Sequence, residues 1–275
     1  MQETIHSLPI DREILPLMRL SQGQLNLLET CPRKFQHLYF DQLGSPTSPE
    51  QQERLMWGSR FHLLMQQREL GLPIDSLVEE DPQLQRWVTS LVSAAPEILT
   101  PDSNTFRESE HCLTLNVQGY LLTVIYDLLI ADGQQAQILD WKTYPQPKHR
   151  HWLEKDWQTR LYLYVLAETS DYSPEQISMT YWFVQSQPQP QSLKFAYDLR
   201  QHHQTYQDLT QLLTQLTSWL QRYQKIGESF PQVAATSRYC PDCSFRVRCA
   251  RSPTSSETPS SSRFPNLAAI PEVAL

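Results

Sequence analysis

The chain has 275 residues, 40% of them hydrophobic and 19% charged, with 23 Lys and Arg against 30 Asp and Glu and a formal net charge of −7. That composition supports a buried core of one domain or one and a half, and it excludes a wholly disordered chain and an overall basic nucleic-acid coat. With no apolar run near the roughly 18 residues of a membrane span, no G-x-x-x-x-G-K-[ST] phosphate loop for ATP, and no signal layout over Met1 to Ile10, the expectation is a cytoplasmic protein without membrane partner or ATP site.

Residues 1–19 read as an irregular lead-in. Ser21, with Gln24 three positions on, has the form of a capping box and opens a short helix through Leu25, Leu28 and Glu29. Pro32 breaks that helix and suits the first turn of a second one, Arg33 to Phe40. Glu50 to Leu70 is predicted as a helix ended by Gly71. Leu84 to Ala95 is another, with Leu84, Trp87, Val88, Leu91 and Val92 on one stripe. Composition then shifts, and Glu108 to Val117, Tyr120 to Ala131 and Gln135 to Thr143 read as an antiparallel meander punctuated by Gln118-Gly119 and Asp132-Gly133. Trp157 to Glu168 returns to helical spacing. Ile177 to Gln185 is a predicted strand, Ser186 to Ser192 a Pro-Gln loop and Leu193 to Leu199 a further strand. A long amphipathic helix carries Tyr206, Leu209, Leu212, Leu213, Leu216, Trp219, Leu220, Tyr223 and Ile226, with Gly227 past its end. The Ser/Pro/Thr-rich stretch 252–275 buries too little to order itself and reads as a disordered tail.

Charge is unevenly spread along this plan. Lys142, Lys148, Arg150, Lys155 and Arg160 face only Glu154 and Asp156 in their stretch, with His149 and His151 alongside. Arg238, Arg246, Arg248 and Arg251 form a second basic run around Asp242. Either run is a solvated face or a local groove for phosphates.

Chemistry concentrates in the second hairpin. Acidic residues are depleted in strand interiors, so Asp127, Asp140 and Lys142 among aliphatic neighbours need a reason. If Asp132-Gly133 forms a two-residue type I′ turn, Asp127 faces Ile138, and Asp140 and Lys142 lie on the same sheet face. The diagonal between Asp127 and Asp140 would then be roughly 7 to 8 Å. Two carboxylates converging in a half-buried sheet repel unless a divalent cation compensates, and oxygen ligands suit Mg²⁺ or Mn²⁺. A lysine beside that ion can orient or deprotonate a water and stabilise charge on a phosphorane-like transition state. The alternative is an exposed face with Asp140 and Lys142 as a surface ion pair.

Asp127 followed by Asp140-Trp141-Lys142 across a turn resembles the PD-(D/E)XK nuclease signature. Gly58-Ser59-Arg60-Phe61-His62 and Gln158-Thr159-Arg160-Leu161-Tyr162 resemble the G-x-x-x-H and Q-x-x-x-Y elements of its RecB-type branch, and Ser21 through Phe35 resembles that branch's N-terminal segment. The similarity runs from about residue 20 to 250. It implies a restriction-endonuclease-like α/β core, a mixed central sheet flanked by helices. His62, Asp127, Asp140 and the Trp141 carbonyl are implied as metal ligands and Lys142 as catalytic. Gln158 and Tyr162 would hold the substrate backbone or brace the site. Glu110 corresponds to a further acidic position of the family, although Glu108 shares its face. Where the family has Gly three residues before the first metal aspartate, this chain has Val124, which bears on DNA approach.

Five cysteines in an intracellular chain point to metal binding or burial rather than disulfides. Cys240-Pro-Asp-Cys243 and Cys249 make a C-x2-C-x5-C triad, for which Cys31 and Cys112 are candidate fourth ligands. Cys112 falls in a predicted strand and reads as a small buried hydrophobe. The resemblance extends to iron-sulfur nucleases of the AddB and CRISPR-adaptation types. It implies that Cys31, Cys240, Cys243 and Cys249 hold a 4Fe-4S cluster that clasps the C-terminus to the helical N-terminal region, with structural Zn²⁺ as the alternative. The expected unit is one nuclease domain over residues 20–251. Its expected activity is metal-dependent hydrolysis of DNA, as a single-stranded exonuclease or end-processing enzyme in repair, recombination or CRISPR adaptation. The rivals are a non-catalytic DNA-binding scaffold, and a subunit active only with a helicase or another repair or CRISPR protein.

Overall fold

The computed structural model describes residues 18–44, 47–79, 81–96, 105–144 and 149–251. The expected lead-in up to residue 17, Lys148 and the expected tail 252–275 lie outside the described residues. Two compact units are present, Met1–Pro231 and Gln232–Leu275.

The first unit holds a mixed six-stranded sheet with helices on both faces. In chain order its elements are β1 (Arg19–Leu20), α1 (Gln22–Thr30), α2 (Pro32–Tyr39), α3 (Pro49–Glu69), α4 (Asp75–Glu79), α5 (Pro82–Ala94), β2 (Phe106–Val117), β3 (Tyr120–Ala131), β4 (Ala136–Lys142), α6 (Arg150–Lys155), α7 (Trp157–Thr169), β5 (Ile177–Phe183), β6 (Gln191–Ala196) and α8 (Leu199–Ile226). The helix starts follow the capping chemistry. Gln24 accepts the Ser21 N–H at 2.8 Å, and Asp81, Asp156 and Asp198 accept backbone N–H groups at the starts of α5, α7 and α8. Gly227 ends α8 in the left-handed region at φ 68°, where the absence of a Cβ removes the steric cost.

The strands run in the order β1-β3-β4-β5-β6, with β2 on the other edge of β3. The meander β2-β3-β4 is antiparallel, β4 and β5 are parallel, and β6 returns antiparallel. On one face Leu25, Leu28, Phe35, Trp157, Leu161, Leu209, Leu213 and Leu216 cover Leu122, Val124, Tyr126, Ile138, Met179 and Tyr181. On the other, Phe61, Leu64, Met65, Leu84, Trp87 and Leu91 cover Leu128, Leu139, Trp141, Trp182 and Val184. Each fully buried aliphatic of this kind contributes about 1.5–3 kcal/mol, so both helical layers are held to the sheet independently. Val124 lies in the first of these cores and is buried.

Two local expectations are corrected. The β3–β4 connection is a four-residue loop, because Ala131 pairs with Ala136 and Leu128 with Leu139. The Asp132 carboxylate accepts the N–H groups of Gln134 and Gln135 at 2.7 and 2.9 Å, and Gly133 keeps a negative φ, so a type I′ turn is not formed. The connection is still even in length, which preserves strand parity. Extended by one residue beyond its last pair, Leu128–Leu139, this register would set Asp127 level with Asp140 rather than diagonal to it. The second correction is in β6, which begins at Gln191 inside the expected Pro-Gln loop and ends at Ala196. The short helix α6 had no periodic signal in the sequence.

The second unit shows turns over residues 234–250, closed by Cys240 N–H to Ser237 O, Cys243 N–H to Cys240 O and Arg246 N–H to Cys243 O. Arg251 folds back onto Gln232 and Val233.

Candidate active site

Alternation in β3 breaks at Asp127. Leu122, Val124 and Tyr126 face one core, whereas Leu128 faces the other. The break coincides with Glu110 on β2, which adopts φ 54° and drops out of an otherwise continuous β2–β3 ladder between Ser109–Leu128 and His111–Tyr126. A left-handed glutamate inside a strand is strained, and such strain concentrates at functional sites. The β3–β4 ladder also ends here, after Leu128–Leu139. In place of a ladder bond, the Trp141 N–H donates to Asp127 Oδ2 at 2.6 Å.

Helix α3 brings His62 to this gap. Its Nδ1 lies 3.2 Å from Asp127 Oδ1, and its Nε2 is 3.0 Å from the Trp141 carbonyl oxygen. Gly58, one turn earlier, faces β4: a Cβ there would sit 3.2 Å from Thr143 Oγ1, so the small residue lets the helix approach. Ligand atoms of His62, Glu110 and Asp127 lie within 4.8 Å of one another, the one such group among the described residues. An imidazole and two carboxylates fit a small divalent cation. Burial resists protonation of His62, but the bond to Asp127 and the charges of Asp127, Asp140 and Glu110 prevail, raising its pKa to about 9. Glu110 is pushed up by burial and by Asp127. Of the two acidic neighbours Glu110 lies in this group, whereas Glu108 is turned to His111 at 2.8 Å on the surface.

From the opposite face α7 supplies Gln158. Its Nε2 donates to Asp140 Oδ2 at 2.6 Å and its Oε1 accepts from Lys142 Nζ at 2.8 Å, while Lys142 Nζ stands 2.6 Å from Asp140 Oδ1. Asp140 is only 2% exposed. Burial pushes its carboxyl up to about 6 against the pull of the Lys142 ammonium, and Asp140 in turn holds Lys142 up against its own burial. The three groups therefore satisfy one another in a dry setting, where an unpartnered charge would be costly. Asp140 lies outside the His62–Glu110–Asp127 group and is bonded to Lys142 and Gln158. Tyr162, one turn after Gln158, is kept neutral by burial and by the carboxylates of Asp140 and Asp127, and Gln158 and the Ile125 backbone hydrogen bond its hydroxyl.

Three supports were not legible as site residues. Asp156 caps α7 through the Gln158 N–H at 2.9 Å and binds the Asn26 amide at 2.8 Å, fixing the turn that carries Gln158. Its aspartate before a helical run was the available signal. Tyr181 lies beneath Lys142, whose Nζ is 5.2 Å from the ring centroid. Tyr181 also shares a 2.8 Å hydroxyl contact with Thr159. Neither has a signature in the sequence, since both read as core positions.

Among the described residues no disulfide joins the cysteines. Cys31 caps the junction of α1 and α2, and Cys240, Cys243 and Cys249 occur on the turns of the second unit, all half-buried. Their chemistry fits a thiolate-bound centre. Cys112 is exposed rather than buried as expected, because it lies on the outward face of the edge strand β2.

The family model of the PD-(D/E)XK nuclease superfamily matches residues 19–250. Among solved structures, a Eubacterium rectale protein described as a candidate exonuclease aligns over 87% of this chain and 92% of its own, at 10% identity and a TM-score of 0.49. The protein SSO0001 aligns over 73% of this chain and 75% of its own, at 16% identity and a TM-score of 0.34. No curated protein matches.

Proposed function

Because the chain belongs to the PD-(D/E)XK nuclease superfamily, we propose that it hydrolyses phosphodiester bonds of DNA at the gap where β3 and β4 part. The observation that supports this reading best is the closed Lys142–Asp140–Gln158 group standing beside the His62, Glu110 and Asp127 donors. Mg²⁺ or Mn²⁺ would be held by His62, Asp127 and Glu110, with Asp140 and the Trp141 carbonyl as the remaining ligands. When bound, the cation neutralises the phosphodiester and acidifies the attacking water. Lys142 keeps its proton through Asp140 and presents a positive charge to the oxygens that become more negative in the transition state. Gln158 holds that ammonium and Asp140 in register, and Tyr162 closes the wall behind them.

The finer assignments rest on the sequence resemblance. They are the RecB-type branch, a cytoplasmic exonuclease or end-processing enzyme on single-stranded DNA, and one nuclease domain over residues 20–251. Cys31, Cys240, Cys243 and Cys249 are assigned to a 4Fe-4S cluster, with Zn²⁺ as the alternative; metal analysis of anaerobically purified protein and of Cys243→Ser distinguishes these. A helicase-dependent subunit is the second reading, supported by the lack of a phosphate loop in the given sequence. The experiment is degradation of 5′- and 3′-labelled single and double strands with Mg²⁺, Mn²⁺ or EDTA, alone and with Asp140→Ala. Metal-dependent cleavage that vanishes in the variant is expected. Equal cleavage by both proteins would overturn the assignment.

A further inference from the structure

The stretch between Lys142 and Arg160 carries three aromatic side chains that the structure sorts sharply. Trp157 is fully buried, with Arg160 over its ring at 4.3 Å and its indole N–H on Glu29. Tyr144 is half-buried against Phe183, edge-on at 5.3 Å. Trp152 is 61% exposed on α6, and its one ring contact among the described residues is His149, edge-on at 5.6 Å. An indole left in water on a six-residue helix contributes little to the core, which α6 reaches through Leu153 instead.

The cations around it divide in the same way. Arg150 lies over Phe195 at 4.5 Å and Arg160 is paired with Asp208 at 2.5 Å, so both are committed to the fold. Among the described residues no ion pair ties His151 or Lys155. These two stand one turn apart on α6 and line a cleft of about 610 Å³ between α6, α7, β6 and α8, which Arg200 and the carboxylates of Glu29, Glu154 and Asp208 also line. The helix is tethered to the catalytic group. The Leu153 carbonyl accepts from Thr159 Oγ1 at 2.5 Å, Thr159 meets the Tyr181 hydroxyl at 2.8 Å, and the Tyr181 ring lies beneath Lys142.

We propose that α6 is a binding surface for single-stranded nucleic acid flanking the scissile bond: Trp152 stacks an unpaired base, and Lys155 and His151 hold the adjoining phosphates at the mouth of the cleft. This rests on the nuclease reading of the site and gives its single-strand preference a binding surface. Bases in a duplex are closed to an indole standing on a helix, whereas every unpaired base offers a face, and an aromatic beside cations is the usual composition of such a platform.

The test is fluorescence anisotropy of labelled oligo(dT) and of a matched duplex, in EDTA so that binding is read without cleavage, with wild type, Trp152→Ala, Trp152→Phe and Lys155→Glu. Trp152→Ala is expected to weaken oligo(dT) binding about tenfold, Trp152→Phe to restore most of it, and Lys155→Glu to weaken it with a shallower salt dependence. Because Trp152 is exposed, thermal melting of Trp152→Ala should match wild type and separate lost stacking from lost fold. Unchanged oligo(dT) affinity in Trp152→Ala overturns the proposal, as does equal loss on duplex and single strand. The nuclease reading would survive either outcome if cleavage still depends on Asp140. A wild type that neither binds nor cleaves DNA removes both.

Discussion

Replacing Gln158 by Leu separates bracing from substrate holding. The amide makes two charge-assisted bonds, 2.6 Å to Asp140 Oδ2 and 2.8 Å from Lys142 Nζ, beside a carboxylate that is 2% exposed. At about 1.5–3 kcal/mol each, these bonds set an upper bound of about 3–6 kcal/mol. Water entering the vacated volume offsets part of it, so a loss of about 2–4 kcal/mol in unfolding free energy is expected, read by urea denaturation of the metal-free protein. In steady-state cleavage across a range of DNA concentrations at saturating Mn²⁺, misplacement of Lys142 should lower kcat by at least tenfold while KM changes less than threefold, the pattern of an interaction that serves the transition state. A raised KM with kcat and stability unchanged would refute the bracing role and make Gln158 a substrate contact.

Three further outcomes follow from the same geometry. Gly58→Ala gains up to about 1 kcal/mol of helix propensity, yet its Cβ would meet Thr143 Oγ1 at 3.2 Å. Stability should change by less than about 1 kcal/mol while Mn²⁺ affinity falls, and Thr143→Ala in the same chain should restore that affinity in calorimetric titration. Glu110→Gly removes left-handed strain at φ 54°, so the metal-free protein should be no less stable, by up to about 1 kcal/mol more so, although Mn²⁺ binding weakens at least tenfold. Marked destabilisation would contradict the strain assignment. His62, raised from 6.5 to about 9, contributes stability to the metal-free protein that is fully present below pH 6.5 and fades as pH rises through about 9. A cation must displace that proton, so apparent Mn²⁺ affinity should rise about tenfold from pH 7 to 8, with proton release visible in buffers of different ionisation enthalpy.

The sequence carried the elements with strong periodicity and clear caps. The α8 stripe from Leu209 to Leu220, the Asp-capped α7 and the β2-β3-β4 meander appear close to their expected bounds because local chemistry and burial agree there. Parity between Asp127 and Asp140 also survived a misread turn, since a four-residue loop and a two-residue loop are both even. Beyond that the strand rule failed. Simple alternation places Asp127 and Asp140 on one face, whereas the chain inverts faces at Asp127 opposite the left-handed Glu110. That inversion joins His62, Glu110 and Asp127 into one donor group and leaves Asp140 to Lys142 and Gln158. No periodicity reveals such a backbone feature, because it depends on contacts among α3, β2 and β3 that are distant in sequence. Tyr181 and Thr159 were hidden for a related reason. Their polar atoms work inside positions whose burial reads as ordinary core.

The most direct test of the site is Lys142→Met assayed beside wild type at saturating Mn²⁺ and single-stranded DNA. The substitution keeps the length and apolar body of the side chain while removing its charge, so folding and metal uptake can be checked in the same samples by circular dichroism and calorimetry. Cleavage should fall at least a hundredfold with DNA affinity changed by less than tenfold. Wild-type cleavage rates in a folded, metal-loaded Lys142→Met protein would contradict the assignment of this hairpin as the catalytic centre.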